Sequence, residues 1–161
     1  MERQNKLYII NTDFLADADE FRLWYEKMPL FRKRKIDALK PEKSKQLSLG
    51  AGILLDTALR DAGIDSYEIE LSEHEKPHLK GPGDVFFNIS HSGSVVICGI
   101  SDKEIGVDVE KIKHFSDSLT DYIFTDQDKD LAKELMAAEV NPDCDYTRLW
   151  TVNESIMKHR G

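Results

Sequence analysis

Apolar and polar positions run along this chain in patterns that predict strands and helices in mixed order. Residues 5–11 read as a strand, and 19–28 carry a helix-like apolar face of Phe21, Leu23, Trp24, Tyr25 and Met28 that Pro29 closes. From Phe31 the pattern is helical and strongly basic through Arg32-Lys33-Arg34-Lys35. Pro41 then opens a long helix with Leu47, Ala51, Leu54, Leu55, Ala58 and Leu59 on its buried side and Gly63 at its C-terminal cap. Residues 67–71 alternate as a strand, and 73–84 form a turn-rich loop with Pro77, Gly81, Pro82 and Gly83.

Two apolar runs follow as strands, 85–89 and 95–100, with Ser90-His91-Ser92-Gly93 as a tight polar connection. The run 105–110 alternates apolar and acidic residues, which predicts a strand with Val107 and Val109 on one face and Asp108 and Glu110 on the other. After a loop, Thr125-Asp126-Gln127-Asp128 fits a variant capping box opening a helix to about residue 140. Asp145 is expected to cap a last helix that runs to the end, with Leu149, Val152 and Ile156 facing the core. The fold class read from this order is α+β, with a seam near residues 101–104.

Composition narrows the partners. With 161 residues, 40% hydrophobic and 32% charged, the chain suits one soluble domain or two small ones. A net charge of −8 disfavours binding to a nucleic-acid backbone, so any anion site must be local. The apolar stretch at the N-terminus is too short for a signal peptide or a membrane span, which points to a cytoplasmic protein without a membrane partner. Cys98 lies inside an apolar run and Cys144 in a polar one, at no zinc-like spacing, so Cys98 reads as a buried thiol.

Three groups carry candidate chemistry. Asp108 and Glu110, at i and i+2 on a strand, would aim two carboxylates one way with alpha-carbons about 6–7 Å apart, a set of hard oxygens that suits Mg²⁺. Taken alone, such a pair is equally an ordinary solvated strand face. On the last helix Trp150, Glu154 and Lys158 align at i, i+4 and i+8, which by itself is also the pattern of a surface ion pair. His91, between two serines in its connection, is either a local turn histidine or part of an anion site.

In order along the chain stand Lys76-Pro77, then Phe87-Asn88-Ile89-Ser90-His91-Ser92-Gly93, then Ile105-Gly106-Val107-Asp108-Val109-Glu110. Leu149-Trp150-Thr151-Val152-Asn153-Glu154-Ser155-Ile156-Met157-Lys158 closes the series. This ordered set resembles the signature of the 4′-phosphopantetheinyl transferases, of the surfactin-synthetase-activating type, over residues 76–161. The resemblance implies an enzyme that moves the phosphopantetheine arm of coenzyme A, its co-substrate, to a serine of an apo acyl or peptidyl carrier protein, releasing adenosine 3′,5′-bisphosphate. It implies a metal, Mg²⁺ with Mn²⁺ as the alternative, on Asp108, Glu110 and Glu154. Asp108, Glu154 and Lys158 would be catalytic, with Glu154 also the candidate base for the carrier serine. Lys158 and His91 would contact phosphates, and Ser90, Lys76 and Pro77 would hold the nucleotide part. Among Arg32, Arg34 and Lys35, Arg34 is the first choice for gripping the 3′-phosphate.

The family fold implies two similar α+β halves related by a pseudo-twofold axis. Residues 1–103 would form the half with the basic helix, the long helix and the Ser-His loop, and 104–161 the half with the carboxylates and the catalytic helix. Family members continue past the Lys-x-x-Gly of this helix into further strands, whereas this sequence stops at Gly161, so the second half is read as C-terminally incomplete. Reduced stability or association is expected of such a form, and a monomer of the full-length one. Two other readings stand beside this one: a Mg²⁺-dependent nucleotide phosphohydrolase, and a non-catalytic module that binds coenzyme A or a carrier protein.

Overall fold

The computed structural model describes residues 5–72, 76–81, 85–136 and 141–160. Strand β1 (Lys6–Asn11) leads through a 3₁₀ turn (Thr12–Ala16) into helices α1 (Ala18–Lys27), α2 (Leu30–Asp37) and α3 (Glu42–Asp61). Strands β2 (Ile69–Leu71), β3 (Pro77–Leu79), β4 (Phe86–Ser92) and β5 (Val95–Ser101) follow, then helices α4 (Asp117–Ile123), α5 (Asp126–Met136) and α6 (Pro142–Arg160). The architecture is α+β.

β5 is the central strand of an antiparallel sheet ordered β1-β5-β4. Its position explains why it is apolar on both faces. Val96, Cys98 and Ile100 turn toward α3 and pack, with Phe87 of β4, against Ala51, Leu54, Leu55, Ala58 and Leu59. On another side of the same helix, Leu49 and Ile53 meet Leu15, Met28 and Ile36 from the 3₁₀ turn and its neighbours. A third cluster, Phe115, Phe124, Ala132 and Leu149, holds α4, α5 and α6 together. Cys98 is the buried thiol expected, and burial pushes its pKa up to about 12, so it packs as an inert small hydrophobe. No helix among the described residues is long and apolar enough to cross a membrane.

Local chemistry sets the boundaries. α3 ends at Gly63 (φ 82°), where Gly63 N donates to Arg60 O and Ile64 N to Leu59 O, both at 2.9 Å, closing the helix as its glycine predicts. The capping box is present: Asp128 N donates to Thr125 Oγ1 (3.2 Å) while Thr125 N donates to Asp128 Oδ2 (2.9 Å). The part of that predicted helix at 137–140 lies outside the described residues.

Several expectations are corrected. Ser90, His91 and Ser92 belong to strand β4, not to a connection, because a two-residue turn at Gly93 (φ 61°) and Ser94 suffices to reverse the chain. The turn-rich loop contains β3, which pairs with β2, itself only Ile69–Leu71. Helix α4 stands in a predicted loop, capped by Ser116, whose Oγ accepts from Leu119 N. α6 opens at Pro142 with Asn141 accepting from Asp143 N at 3.1 Å. Asp145 is therefore inside the helix, buried, with Arg148 Nη1 at 3.2 Å. Of the predicted core stripe on α6 only Leu149 is buried, while Val152 and Ile156 are exposed.

The largest difference concerns 105–110, which is not a ladder strand. Its amides are satisfied by side chains of β4 instead: Val107 N donates to Asn88 Oδ1 (2.9 Å) and Val109 N to Ser90 Oγ (3.4 Å). Lys111 N continues the series to Ser92 Oγ at 3.0 Å. The alternation of the segment is real, since Val107 packs over Gly99, where a Cβ would lie 2.5 Å from Val107 Cγ1. All the strands described thus lie within residues 6–101.

Candidate active site

The side-chain ladder that fixes residues 107–111 also orients the two acids. Ser90 Oγ donates to Asp108 Oδ1 at 2.7 Å and Ser92 Oγ to Glu110 Oε1 at 2.5 Å, so polar residues two apart on β4 meet carboxylates two apart on the segment. Helix α6 approaches from the other side. Lys158 Nζ donates to Asp108 Oδ1 at 2.5 Å and to Ser90 Oγ at 3.0 Å. Asp108 is only 7% exposed, so its charge needs this partner.

The approach of α6 depends on Gly106. A Cβ there would lie 2.5 Å from His159 N and closer still to Ser155 O, inside the backbone of the helix. Only glycine lets the helix come near enough for Lys158 to reach Asp108.

Ile89, Ser90, His91, Asp108, Val109, Glu110, Trp150, Glu154 and Lys158 line one cavity of about 300 Å³. Three separate stretches of sequence therefore contribute to one site. Glu110 Oε2 accepts from Lys113 Nζ at 3.1 Å, and that ammonium also sits 4.6 Å over the Trp150 ring. Its carboxyl pKa is held below the ordinary range by the Ser92 hydroxyl first, then by Lys113 and the Lys111 amide, against an opposing push from partial burial. Glu154 and His91 make no side-chain hydrogen bond or ion pair among the described residues, which leaves both available to a ligand.

As donors, three carboxylates suit a hard divalent cation. Asp108 takes both of its bonds on Oδ1, and Glu154 takes none among the described residues. The acids share a cavity rather than a point, since among the described residues no three acidic, histidine or cysteine side chains are gathered closely enough to hold an ion as they stand.

The other predicted positions lie elsewhere. Lys76 and Pro77 line a second cavity of about 310 Å³ with Phe86, Phe87 and Glu104. There Lys76 Nζ donates to Glu104 Oε2 (2.9 Å) and to His159 O (3.2 Å), tying this loop to the end of α6. Arg34 is exposed and makes no side-chain contact with a carboxylate among the described residues.

Arg32 is the more buried cation of this helix. It is 8% exposed, packs its chain over α3 at Gly52, and has no carboxylate partner among the described residues. Burial pushes the Arg32 guanidinium below its ordinary pKa, and the Lys35 ammonium is lowered by burial and then by the charge of Arg32 beside it. Arg32 and Lys35 thus set two neighbouring cations on α2. One helical turn before Gly52, the buried hydroxyl of Ser48 has no hydrogen-bond partner among the described residues.

Ser48 and Lys113 carry no signal in the sequence, and Ser92, expected only as a hydroxyl beside His91, instead orients Glu110. Asn88, Ser90 and Ser92 did carry a signal, a period of two polar residues inside an otherwise apolar strand.

A model of the 4′-phosphopantetheinyl transferase superfamily matches residues 104–161. Over 123 residues the chain is 32% identical to the 4′-phosphopantetheinyl transferase Sfp of Bacillus subtilis, covering 74% of this chain and 54% of that protein. It is 29% identical over 102 residues to the 4′-phosphopantetheinyl transferase AcpT of Salmonella typhimurium, covering 58% and 50%. Among solved structures, holo-ACP-synthase from Plasmodium yoelii aligns with 60% of this chain and 90% of that one, at 14% identity and a TM-score of 0.46. The chain belongs to the 4′-phosphopantetheinyl transferase superfamily, of the surfactin-synthetase-activating type that its motifs resemble. It spans about half the length of the curated relatives it matches.

Proposed function

We propose that this chain transfers the 4′-phosphopantetheine moiety of coenzyme A to a serine of an apo carrier protein, a holo-[acyl-carrier-protein] synthase type of activity dependent on Mg²⁺. The observation that carries the reading is the single cavity in which Ser90 and His91 of β4, Asp108 and Glu110, and Glu154 and Lys158 of α6 meet. The division near residue 103 into a half that grips the nucleotide and a half that carries the acids belongs to this reading.

In the reaction an oxygen–phosphorus bond forms from the carrier serine to the phosphate of the arm, and the bond from that phosphorus to adenosine 3′,5′-bisphosphate breaks. Glu154, free of hydrogen bonds among the described residues, takes the serine proton directly or through water. Lys158 and His91 donate to pyrophosphate oxygens and stabilise charge on the leaving group. Asp108, Glu110 and Glu154 would hold the Mg²⁺, which when bound supplies charge neutralisation at the pyrophosphate. Asp108 and Glu110 are kept in orientation by Ser90 and Ser92.

In this reading the 3′-phosphate falls to Arg32 and Lys35 in place of Arg34. Arg32→Met is expected to raise the KM for coenzyme A at least tenfold while leaving the KM for 3′-dephospho-coenzyme A nearly unchanged, the loss of a charge-assisted bond being about 1.5–3 kcal/mol. Equal losses with both substrates in steady-state assays would remove Arg32 from this role.

The activity itself is tested by mass spectrometry of an apo acyl carrier protein incubated with coenzyme A, Mg²⁺ and this chain. A gain of the phosphopantetheine mass on the carrier serine is the expected result. Bound coenzyme A with no gain on the carrier would count against transfer and for a binding module.

A further inference from the structure

Lys158 stands on the carboxylate that a divalent cation would need. Its ammonium bonds to Asp108 Oδ1 and to the hydroxyl of Ser90, which in turn donates to the same carboxylate oxygen. Asp108 is almost fully withdrawn from water while the Lys158 side chain is about one-third exposed, at 7% and 31%. The acid is thus fixed, whereas the lysine has room to leave.

We propose that Lys158 is the resident counter-ion of Asp108, and that its displacement by pyrophosphate couples binding of the divalent cation to binding of the co-substrate. The inference rests on the metal reading of the cavity given above. Its physical basis is that a buried carboxylate without a counter-charge is costly, so the protein supplies its own cation when no other is present. An ammonium on Oδ1 and a divalent cation on either oxygen of the same carboxylate would repel each other strongly at such range. A cation arriving alone must therefore evict Lys158 into solvent. When pyrophosphate is present, the ammonium exchanges one anion for another within the same cavity, and the eviction costs far less. By linkage the effect is reciprocal: the metal frees Lys158 to hold phosphate, and phosphate frees Asp108 to hold metal.

The neighbouring charges support this division of labour. Glu110 has its own lysine, Lys113, and its own hydroxyl, Ser92, so it does not compete for Lys158. Glu154 lines the cavity with no ammonium on it among the described residues. Lys158 is thus set against Asp108 alone.

The test is Mn²⁺ binding to the full chain, read from the electron paramagnetic resonance of the free ion, with no turnover required. For the wild type, coenzyme A is expected to tighten Mn²⁺ binding at least about fivefold, the lower end of ordinary coupling between sites. Lys158→Met should bind Mn²⁺ alone at least about fivefold more tightly than the wild type and gain less from coenzyme A, whereas Lys158→Arg should stay near the wild type. Lys111→Met, which removes one positive charge nearby without touching Asp108, should shift affinity less than about twofold through screened water. Thermal melting checks that each variant is folded. Independently of any variant, the Lys158 ammonium signal in proton–nitrogen NMR should move when Mg²⁺ and coenzyme A are added together and stay in place with Mg²⁺ at low concentration alone.

Equal Mn²⁺ affinity in Lys158→Met and the wild type, or an equal gain in Lys111→Met, would overturn the counter-ion proposal and leave the metal site standing. Failure of every form to bind Mn²⁺, even with coenzyme A, would overturn the metal reading and this proposal with it.

Discussion

Gly106→Ala is expected to lower the melting temperature by about 4–10 °C and to reduce carrier modification at least about a hundredfold. A Cβ at position 106 would meet Ser155 O and His159 N, which are backbone atoms of α6 and cannot turn aside as a flexible side chain would. The helix must retreat as a body. Ser155 and His159 flank Lys158, so the retreat draws Lys158 from Asp108 and Ser90, and breaks the bond from Lys76 to His159 O. Overpacking of this kind costs about 1–3 kcal/mol even in cores that adapt, and a displacement of about an ångström at a catalytic group is enough for the rate loss. Melting curves and initial rates check both parts. A variant that melted and turned over like the wild type would show that α6 does not depend on this close approach.

Much of the scaffold could be read from the sequence because its signals are local. The apolar run of β5 and the long stripe of α3 have no competing interpretation at their lengths, and Gly63 and Thr125 mark ends by their own hydrogen bonds. The misses share a different cause: each depends on a partner distant in sequence. Residues 105–110 alternate as a strand should, but the partner that satisfies their amides is a row of side chains, Asn88, Ser90 and Ser92, and periodicity says nothing of that. Helix α4 has few apolar positions to mark it, and it is held by the packing of Phe115 and Phe124 at its ends. The stripe on α6 failed for the converse reason, since a periodic pattern shows which residues share a face but not whether anything covers it.

The site residues follow the same rule. That Asp108, Glu154 and Lys158 come to one cavity was legible only through the order of four motifs, because 45 residues lie between Asp108 and Glu154 and no local pattern spans them. Arg32 was among the three basic candidates and stood behind Arg34, although its place on the helix could be read from the sequence. It shares a helix face with Ile36 at i+4, the two buried residues of α2, whereas Arg34 points away from both. An arginine on the buried face of a short basic helix is the one that must find an anion, and an exposed arginine need not.

Asp108→Ala is expected to abolish metal-dependent turnover, by at least about a thousandfold, while lowering stability less than Gly106→Ala does. The two effects separate because the partners of Asp108 have alternatives. Lys158 is about one-third exposed at 31% and can turn its ammonium to water once the carboxylate is gone, so little of the usual penalty for orphaning a buried charge remains. Ser90 keeps its bond from Lys158 or Val109 N, and the segment stays anchored through Asn88 and Ser92. Chemistry has no such alternative: without Asp108 a cation would keep only Glu110, already bonded to Ser92 and Lys113, and Glu154, two acids set against the positive charge of Lys158. Asp108→Asn separates shape from charge, since it keeps the size of the side chain and a bond to Ser90. It should fail in turnover nearly as badly as the alanine variant, with Mn²⁺ affinity lost in both. Near-normal carrier modification by either variant, measured at saturating coenzyme A with the melting curve recorded beside it, would remove Asp108 from the catalytic site and leave its bond to Lys158 as a structural ion pair.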